Sequence, residues 1–171
     1  MTLPFFTVGH SNRSLEDFLA LLRPPAVARL VDIRTVPRSR ANPQFDKATL
    51  PDTLPPLGIA YEHAAALGGL RGRSRDVPPE VNGFWTNASF HNYADHALSP
   101  DFLAALDRLV AAGHRERCAI MCSEAVWWRC HRRIVADHLI ARGEPVFHLT
   151  EPGREDPPAS PPAPSSAPTA A

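Results

Sequence analysis

Residues 118–149, CAIMCSEAVWWRCHRRIVADHLIARGEPVFHL, contain the pattern that decides the fold. Cys118 to Cys122 is an unbroken apolar run of strand length. Arg129 to Ala141 then sets Ile134, Val135, His138 and Leu139 on one helical face, with Gly143 as terminator. Pro145-Val146-Phe147-His148-Leu149 is a further strand. A strand, a helix and a strand in succession make a crossover, which joins parallel strands.

The same alternation runs back toward the N-terminus. Ser99-Pro100 places an N-cap before proline at the first helical position. Phe102, Leu103, Leu106, Leu109 and Val110 follow on one face, and Gly113 stops the helix. Phe5-Phe6-Thr7-Val8 is strand-like. After Gly9-His10-Ser11, Ser14 caps a helix carrying Leu15, Phe18, Leu19 and Leu22. Arg29 to Arg34 is a second strand, and Ile59 to Glu62 a weaker third. Leu67 to Leu98, with Gly68-Gly69, Gly72 and Pro78-Pro79, reads mostly as loop with one helix in its second half. The fold expected is α/β: three layers, a mainly parallel sheet of about four to five strands, helices on both faces and long loops at the carboxyl edge. Residues 1–150 form its single domain. Residues 151–171 hold seven of the 19 prolines and no large apolar side chain, and read as a disordered tail rich in Pro, Ala and Ser.

The chain has 171 residues, with 18 basic against 18 acidic side chains, so no global field draws it to nucleic acid. Only Lys47 among the basic residues is lysine. No apolar run reaches the length of a membrane span, and MTLPFFTVGHS carries no export signal, so a cytoplasmic location without membrane partners is expected. Three cysteines, Cys118, Cys122 and Cys130, crowd into one stretch. That suits a reducing compartment and a local site better than a disulfide framework.

In parallel sheets ligands bind beyond the carboxyl ends of the strands. That edge collects Gly9-His10-Ser11, Asp32 with Arg34, and Cys122-Ser123-Glu124. The candidate catalytic residues are therefore Asp32, Cys122, Glu124, Cys130, His131 and His10. The candidate anion or substrate contacts are Ser11, Arg34, Arg38, Arg40, Gly68, Gly69 and Arg132. Cys130 is expected on the first turn of its helix, where the dipole favours a thiolate. Three templates fit incompletely. A phosphatase-like loop needs arginine six positions after Cys122, but Trp128 stands there and Arg129 comes one step late. A closed zinc site needs paired Cys or His spacings, although a mixed site of Cys122, Cys130, His131 and His10 stays open as a metal cofactor site. A redox dithiol needs the loop between Cys122 and Cys130 to fold back. Arg71, Arg73 and Arg75 form a further basic loop. Phe84, Trp85, Phe90, Tyr93, Trp127 and Trp128 are either stacking surfaces or a satellite core, while His91 and His96 are assigned to loop packing.

Taken in order, Gly9-His10-Ser11 with Arg13 and Phe18, Asp32-Ile33-Arg34 with Pro37, Ser39-Arg40, Asn42-Pro43 and Phe45, Leu67-Gly68-Gly69, then Cys122-x-Glu124 with Cys130-His131-Arg132 resemble the domain-of-unknown-function 488 family of bacteria and archaea. The resemblance spans residues 5 to about 149 and implies a compact α/β domain with these motifs on one strand-end edge. Ser123 and Val126-Trp127-Trp128 depart from the family pattern. Three functions are carried forward. The first is an enzyme acting on a phosphate-bearing small molecule or nucleic acid; the second, a non-catalytic nucleic-acid-binding domain; the third, a thiol-redox or metal-dependent protein built on Cys122, Cys130 and His131.

Overall fold

The computed structural model describes residues 3–157 apart from Ser39, Leu70, Arg75 and Thr86. Six strands form one sheet: β1 (Phe5–Gly9), β2 (Arg29–Asp32), β3 (Ala60–His63), β4 (Cys118–Cys122), β5 (Val146–Glu151) and β6 (Arg154–Asp156), in the order β3-β2-β4-β1-β5-β6. All neighbours are parallel except β5 and β6, which pair antiparallel. The sheet thus has one strand more than expected, and residues 151–156 belong to it rather than to a tail. Thr150 Oγ1 donates to Asp156 Oδ2 at 2.9 Å, and the Arg154 Nε–H donates to Asp156 Oδ1 at 2.7 Å, both within this hairpin. The expected disorder of the remaining tail falls on residues 158–171, outside the described residues.

Five helices cover the two faces: α1 (Leu15–Leu22), α2 (Leu50–Thr53), α3 (Ala88–His96), α4 (Pro100–Gly113) and α5 (Arg132–Ala141). Connections running toward β3 place α1 and α2 on one face. Phe18, Leu19, Leu22, Leu50 and Leu54 pack there on Phe6, Val8, Leu30, Ala119 and Met121. Connections running toward β5 place α3, α4 and α5 on the other, where Tyr93, Phe102, Leu106, Ile134 and Leu139 pack on Phe5, Val31, Cys118 and Ile120. Right-handed crossovers impose this separation, because reversing the direction of travel reverses the face covered. Both faces of β1 and β4 are therefore buried, which is why these strands read as continuous apolar runs. Each fully buried Phe or Leu contributes about 1.5–3 kcal/mol.

The caps expected from sequence are present. Ser14 Oγ accepts from the Asp17 N–H at 3.1 Å, and Ser99 Oγ from the Phe102 N–H at 3.2 Å. One boundary moves. The helix expected from Arg129 begins at Arg132, because Trp127–Arg129 winds as a separate 3-10 turn closed by the Cys130 N–H on the Trp127 carbonyl. Cys130 and His131 therefore sit just ahead of α5 rather than on its first turn. No helix among the described residues is long and apolar enough to cross a membrane.

Candidate functional site

β1 leads toward one edge of the sheet and β4 toward the other, so the gap between their carboxyl ends is a switch point where a crevice opens. The loops leaving both strands continue the ladder for two residues. His10 N–H donates to the Cys122 carbonyl and Ser11 N–H to the Ser123 carbonyl, each at 3.0 Å. Close approach is possible because position 9 is glycine: a Cβ there would overlap the Glu124 carbonyl. Ser11 takes a left-handed φ of 47°, which favours glycine and marks a constrained turn.

The crevice is a cleft of about 710 Å³, lined on its chemical side by Ser11, Arg38, Cys122, Glu124, Arg129, Cys130 and His131. Cys122 and Cys130 are joined through their sulfurs as a disulfide on its floor, so the 123–129 loop does fold back; reduction presents two thiols there. Cys130 Sγ lies 3.4 Å from His131 Nδ1, and the Arg132 N–H at the start of α5 donates to the same sulfur at 3.5 Å. His131 Nε2 lies 2.7 Å from the Ile33 carbonyl, which can only accept, so Nε2 carries the hydrogen. Burial, reinforced by the Arg132 and Arg71 charges, holds the His131 pKa down to about 4. The ring is therefore neutral at pH 7, with a bare Nδ1 facing the thiol. That is an acceptor for the Cys130 proton, and the α5 amide favours the resulting thiolate. Gly69 closes the other side, where a Cβ would overlap Nδ1. Gly69→Ala is accordingly expected to displace the ring and slow alkylation of Cys130 several-fold, with thermal melts as the check on folding.

Asp32 and Arg34 pair with each other at the exit of β2. Asp32 is fully buried. Its Oδ1 accepts from the Arg34 amide at 3.1 Å and from Nε at 2.8 Å, while Oδ2 accepts from Nη2 at 2.6 Å and from the Tyr61 hydroxyl at 2.5 Å. Arg34, 6% exposed, also donates Nη2 to the Phe45 carbonyl at 2.5 Å and Nη1 to His10 Nε2 at 3.2 Å. His10 Nδ1 donates to the Ser11 carbonyl at 2.7 Å, so both its nitrogens are engaged, and burial lowers its pKa. Neither the carboxylate nor the imidazole keeps a free atom for acid-base work, while Arg34 and His10 both line the cleft and one Arg34 Nη1 N–H remains for a ligand. The three form a buried anchor that holds the β1 and β2 exits. His63 and His131 complete it by donating to the Arg34 and Ile33 carbonyls.

The arginines divide similarly. Arg38 and Arg129 face the cleft, and among the described residues neither has an ion-pair partner. Arg40 is exposed and does not line the cleft, and Gly68 packs beneath Thr35. Arg71 is half-buried, holding the Ala65 and Gly68 carbonyls at 2.8 and 3.0 Å, so it staples a turn. Arg132, 1% exposed, lies behind the loop, where its Nη2 donates to the Ala125 carbonyl at 3.0 Å. Burial lowers its pKa to about 9, which leaves it charged at pH 7. It supports the Glu124 segment from below rather than reaching the cleft. Trp127 stacks flat on His148, centroids 4.1 Å apart, and Tyr93 and Phe102 are core, so of the aromatics only Phe90 lines the cleft. Arg75 and Ser39 lie outside the described residues. Among the described residues no group of three or more His, Cys, Asp or Glu side chains is placed to hold a metal ion.

The family of proteins described as "Domain of unknown function DUF488" matches residues 14–139. The chain belongs to the DUF488 family. No curated protein and no solved structure matches it. The DUF488 match takes in the Asp32–Arg34 anchor, both cleft cysteines and His131, whereas Gly9-His10-Ser11 precede it. Within this DUF488 domain, sequence reading missed Arg129 as a cleft cation, having rejected its spacing from Cys122. It also missed Tyr61 and the Phe45 carbonyl as partners of the anchor. The signal for Tyr61 was its register: Leu30 pairs with Tyr61 and Asp32 with His63, so the Tyr61 hydroxyl is within reach of Asp32.

Proposed function

We propose that the protein is a thiol-dependent enzyme acting on a phosphate-bearing ligand, a nucleotide or nucleic acid, with Cys130 as nucleophile. The observation that carries this reading is the Cys130–His131 contact at 3.4 Å, with the imidazole tautomer set by the Ile33 carbonyl, on the floor of a cleft walled by Arg38 and Arg129. His131 Nδ1 takes the thiol proton, and the two guanidiniums hold the anion by their forked N–H groups. The exposed Glu124 is placed at the cleft for acid-base work on the bound ligand. Phe90 offers a planar face to a base.

The test is alkylation of the reduced protein with site assignment by mass spectrometry. Cys130 is expected to react first and to go on reacting below pH ~8.5, the free-thiol reference. Cys118 should stay inert until unfolding, since burial pushes its thiol up to about 11. A nucleoside monophosphate or a short single-stranded oligonucleotide should slow Cys130 several-fold, and Arg38→Ala with Arg129→Ala should remove that protection. Equal protection by the phosphate-free nucleoside would overturn the anion reading. A non-catalytic nucleic-acid-binding domain would show the protection but no turnover of any phosphate-bearing ligand, whereas an enzyme should lose turnover in Glu124→Gln while keeping the protection.

A further inference from the structure

A nucleophilic thiol needs one sulfur, and the cleft floor holds two. Cys122 ends β4 and Cys130 closes the turn before α5, eight residues apart in sequence, with their sulfurs in contact and their Cα atoms 7.4 Å apart. They differ in surroundings. Cys130 has the bare His131 Nδ1 and the Arg132 amide beside it, which together favour a thiolate. Cys122 Sγ lies 3.6 Å from the Glu124 carbonyl and has no base beside it. One sulfur is equipped to attack and its neighbour to follow. The third cysteine is excluded by geometry: Cys118 lies four residues back on the same face of β4, about 13 Å away at ~3.3 Å per residue.

We infer that Cys130 and Cys122 are a nucleophilic and a resolving thiol that reduce a small hydroperoxide and close the cleft thiol reversibly as a disulfide. This rests on the reading of Cys130 as the reactive thiol of the cleft. The Cys130 sulfur attacks the distal oxygen of the hydroperoxide as its proton passes to the neutral His131 Nδ1. The O–O bond breaks, the leaving oxygen takes the proton from His131 and departs as an alcohol, or as water from hydrogen peroxide, and Cys130 becomes a sulfenic acid. Cys122 sulfur then attacks the sulfenic sulfur. The S–S bond forms, the S–OH bond breaks, and hydroxide leaves with the Cys122 proton as water. Two thiols lose two electrons and one hydroperoxide gains them. A dithiol reductant restores the pair by exchange.

The size of the oxidant follows from access. Cys130 is 6% exposed and Cys122 2%, at the bottom of the cleft, so a small peroxide reaches them and a disulfide on a folded protein does not. The 123–129 loop is held to the sheet by the Ser11–Ser123 bond and by Trp127 stacked on His148, and it carries Glu124 and Arg129. Oxidation thus removes the nucleophile from a cleft whose walls carry the groups that serve the anion.

The experiment uses the full chain, reduced and freed of reductant, then treated with one equivalent of hydrogen peroxide and mapped by peptide mass spectrometry. The expected product is a loss of 2 Da with Cys122 joined to Cys130, Cys118 still alkylatable on unfolding, and full return of both thiols with dithiothreitol. Cys122→Ser should abolish the bridge and leave Cys130 as a sulfenic acid that a cyclic dione traps. Wild-type protein that gains oxygen on Cys130 without bridging, or that bridges through Cys118, overturns the inference even if the variant does not fold. Failure of Cys130 to alkylate before any peroxide is added would instead overturn the underlying thiol reading.

Discussion

Asp32→Ala is expected to destabilise the protein by about 3–5 kcal/mol, the range seen when one partner of a buried ion pair is removed. The carboxylate is wholly buried and accepts three N–H groups from Arg34 and the Tyr61 hydroxyl. Alanine removes every one of those acceptors. Arg34, 6% exposed, then keeps its charge with only the Phe45 carbonyl and His10 Nε2 as acceptors. Against total stabilities of about 5–15 kcal/mol this is a large fraction. Urea denaturation measures it directly. Because the cost arises from the stranded guanidinium, Asp32→Ala combined with Arg34→Met should be less destabilising than Asp32→Ala alone. A single variant within about 1 kcal/mol of wild type would show that the pair does not anchor the loops. Arg34→Lys should likewise act on stability, since the ammonium cannot reproduce the fork toward both Asp32 oxygens.

Acid should weaken the fold well above the pH at which ordinary carboxylates titrate. Burial holds His131 at about 4 and His148 at about 3, and the Arg132 charge lowers both further from the usual 6.5. Their folded-state affinities for protons are thus below those of the unfolded chain. As pH falls from 6.5 toward 4, the unfolded chain binds protons at these sites and the folded one does not, so stability drops with pH. A tenfold difference in proton affinity between the two states corresponds to about 1.4 kcal/mol, so each histidine accounts for a loss on the order of 2–3 kcal/mol across that window. Asp137 works in the opposite direction, because burial raises its carboxyl to about 6 and the folded state binds that proton first. The net result expected is a denaturation midpoint that falls between pH 6.5 and 4. The slope should be shallower in His148→Phe, which keeps a ring against Trp127 and removes the titrating group. An equally steep fall in that variant would reject His148 as a source of the effect.

Much of the architecture was legible because it rests on local periodicity. Cys118 to Cys122 is apolar at every position and became a strand buried at every position. Ser14 and Ser99 were recognisable as caps because their hydroxyls satisfy amides only three residues on. β6 was not legible: Arg154–Asp156 lies in a polar, proline-rich stretch, and its strand character comes from pairing with β5 at the sheet edge. The start of α5 was misplaced because apolar spacing does not distinguish an α-helix from a 3-10 turn leading into it.

For the site, sequence alone determined which edge of the sheet would carry it, since the strand order in the chain and the polar residues at the strand ends both point there. Only the tertiary structure decided what each residue does. Asp32, Arg34 and His10 look as reactive in sequence as Cys130 and His131. Asp32 and His10 spend their side-chain atoms on Arg34, on Tyr61 and on backbone groups, and Arg34 most of its N–H groups, whereas the imidazole Nδ1 of His131 faces the Cys130 sulfur at the cleft floor. Which polar group is spent and which is left free depends on partners up to 98 residues away, as in the His131 contact with the Ile33 carbonyl. No local pattern encodes that, because hydrogen-bond satisfaction is a property of the packed chain.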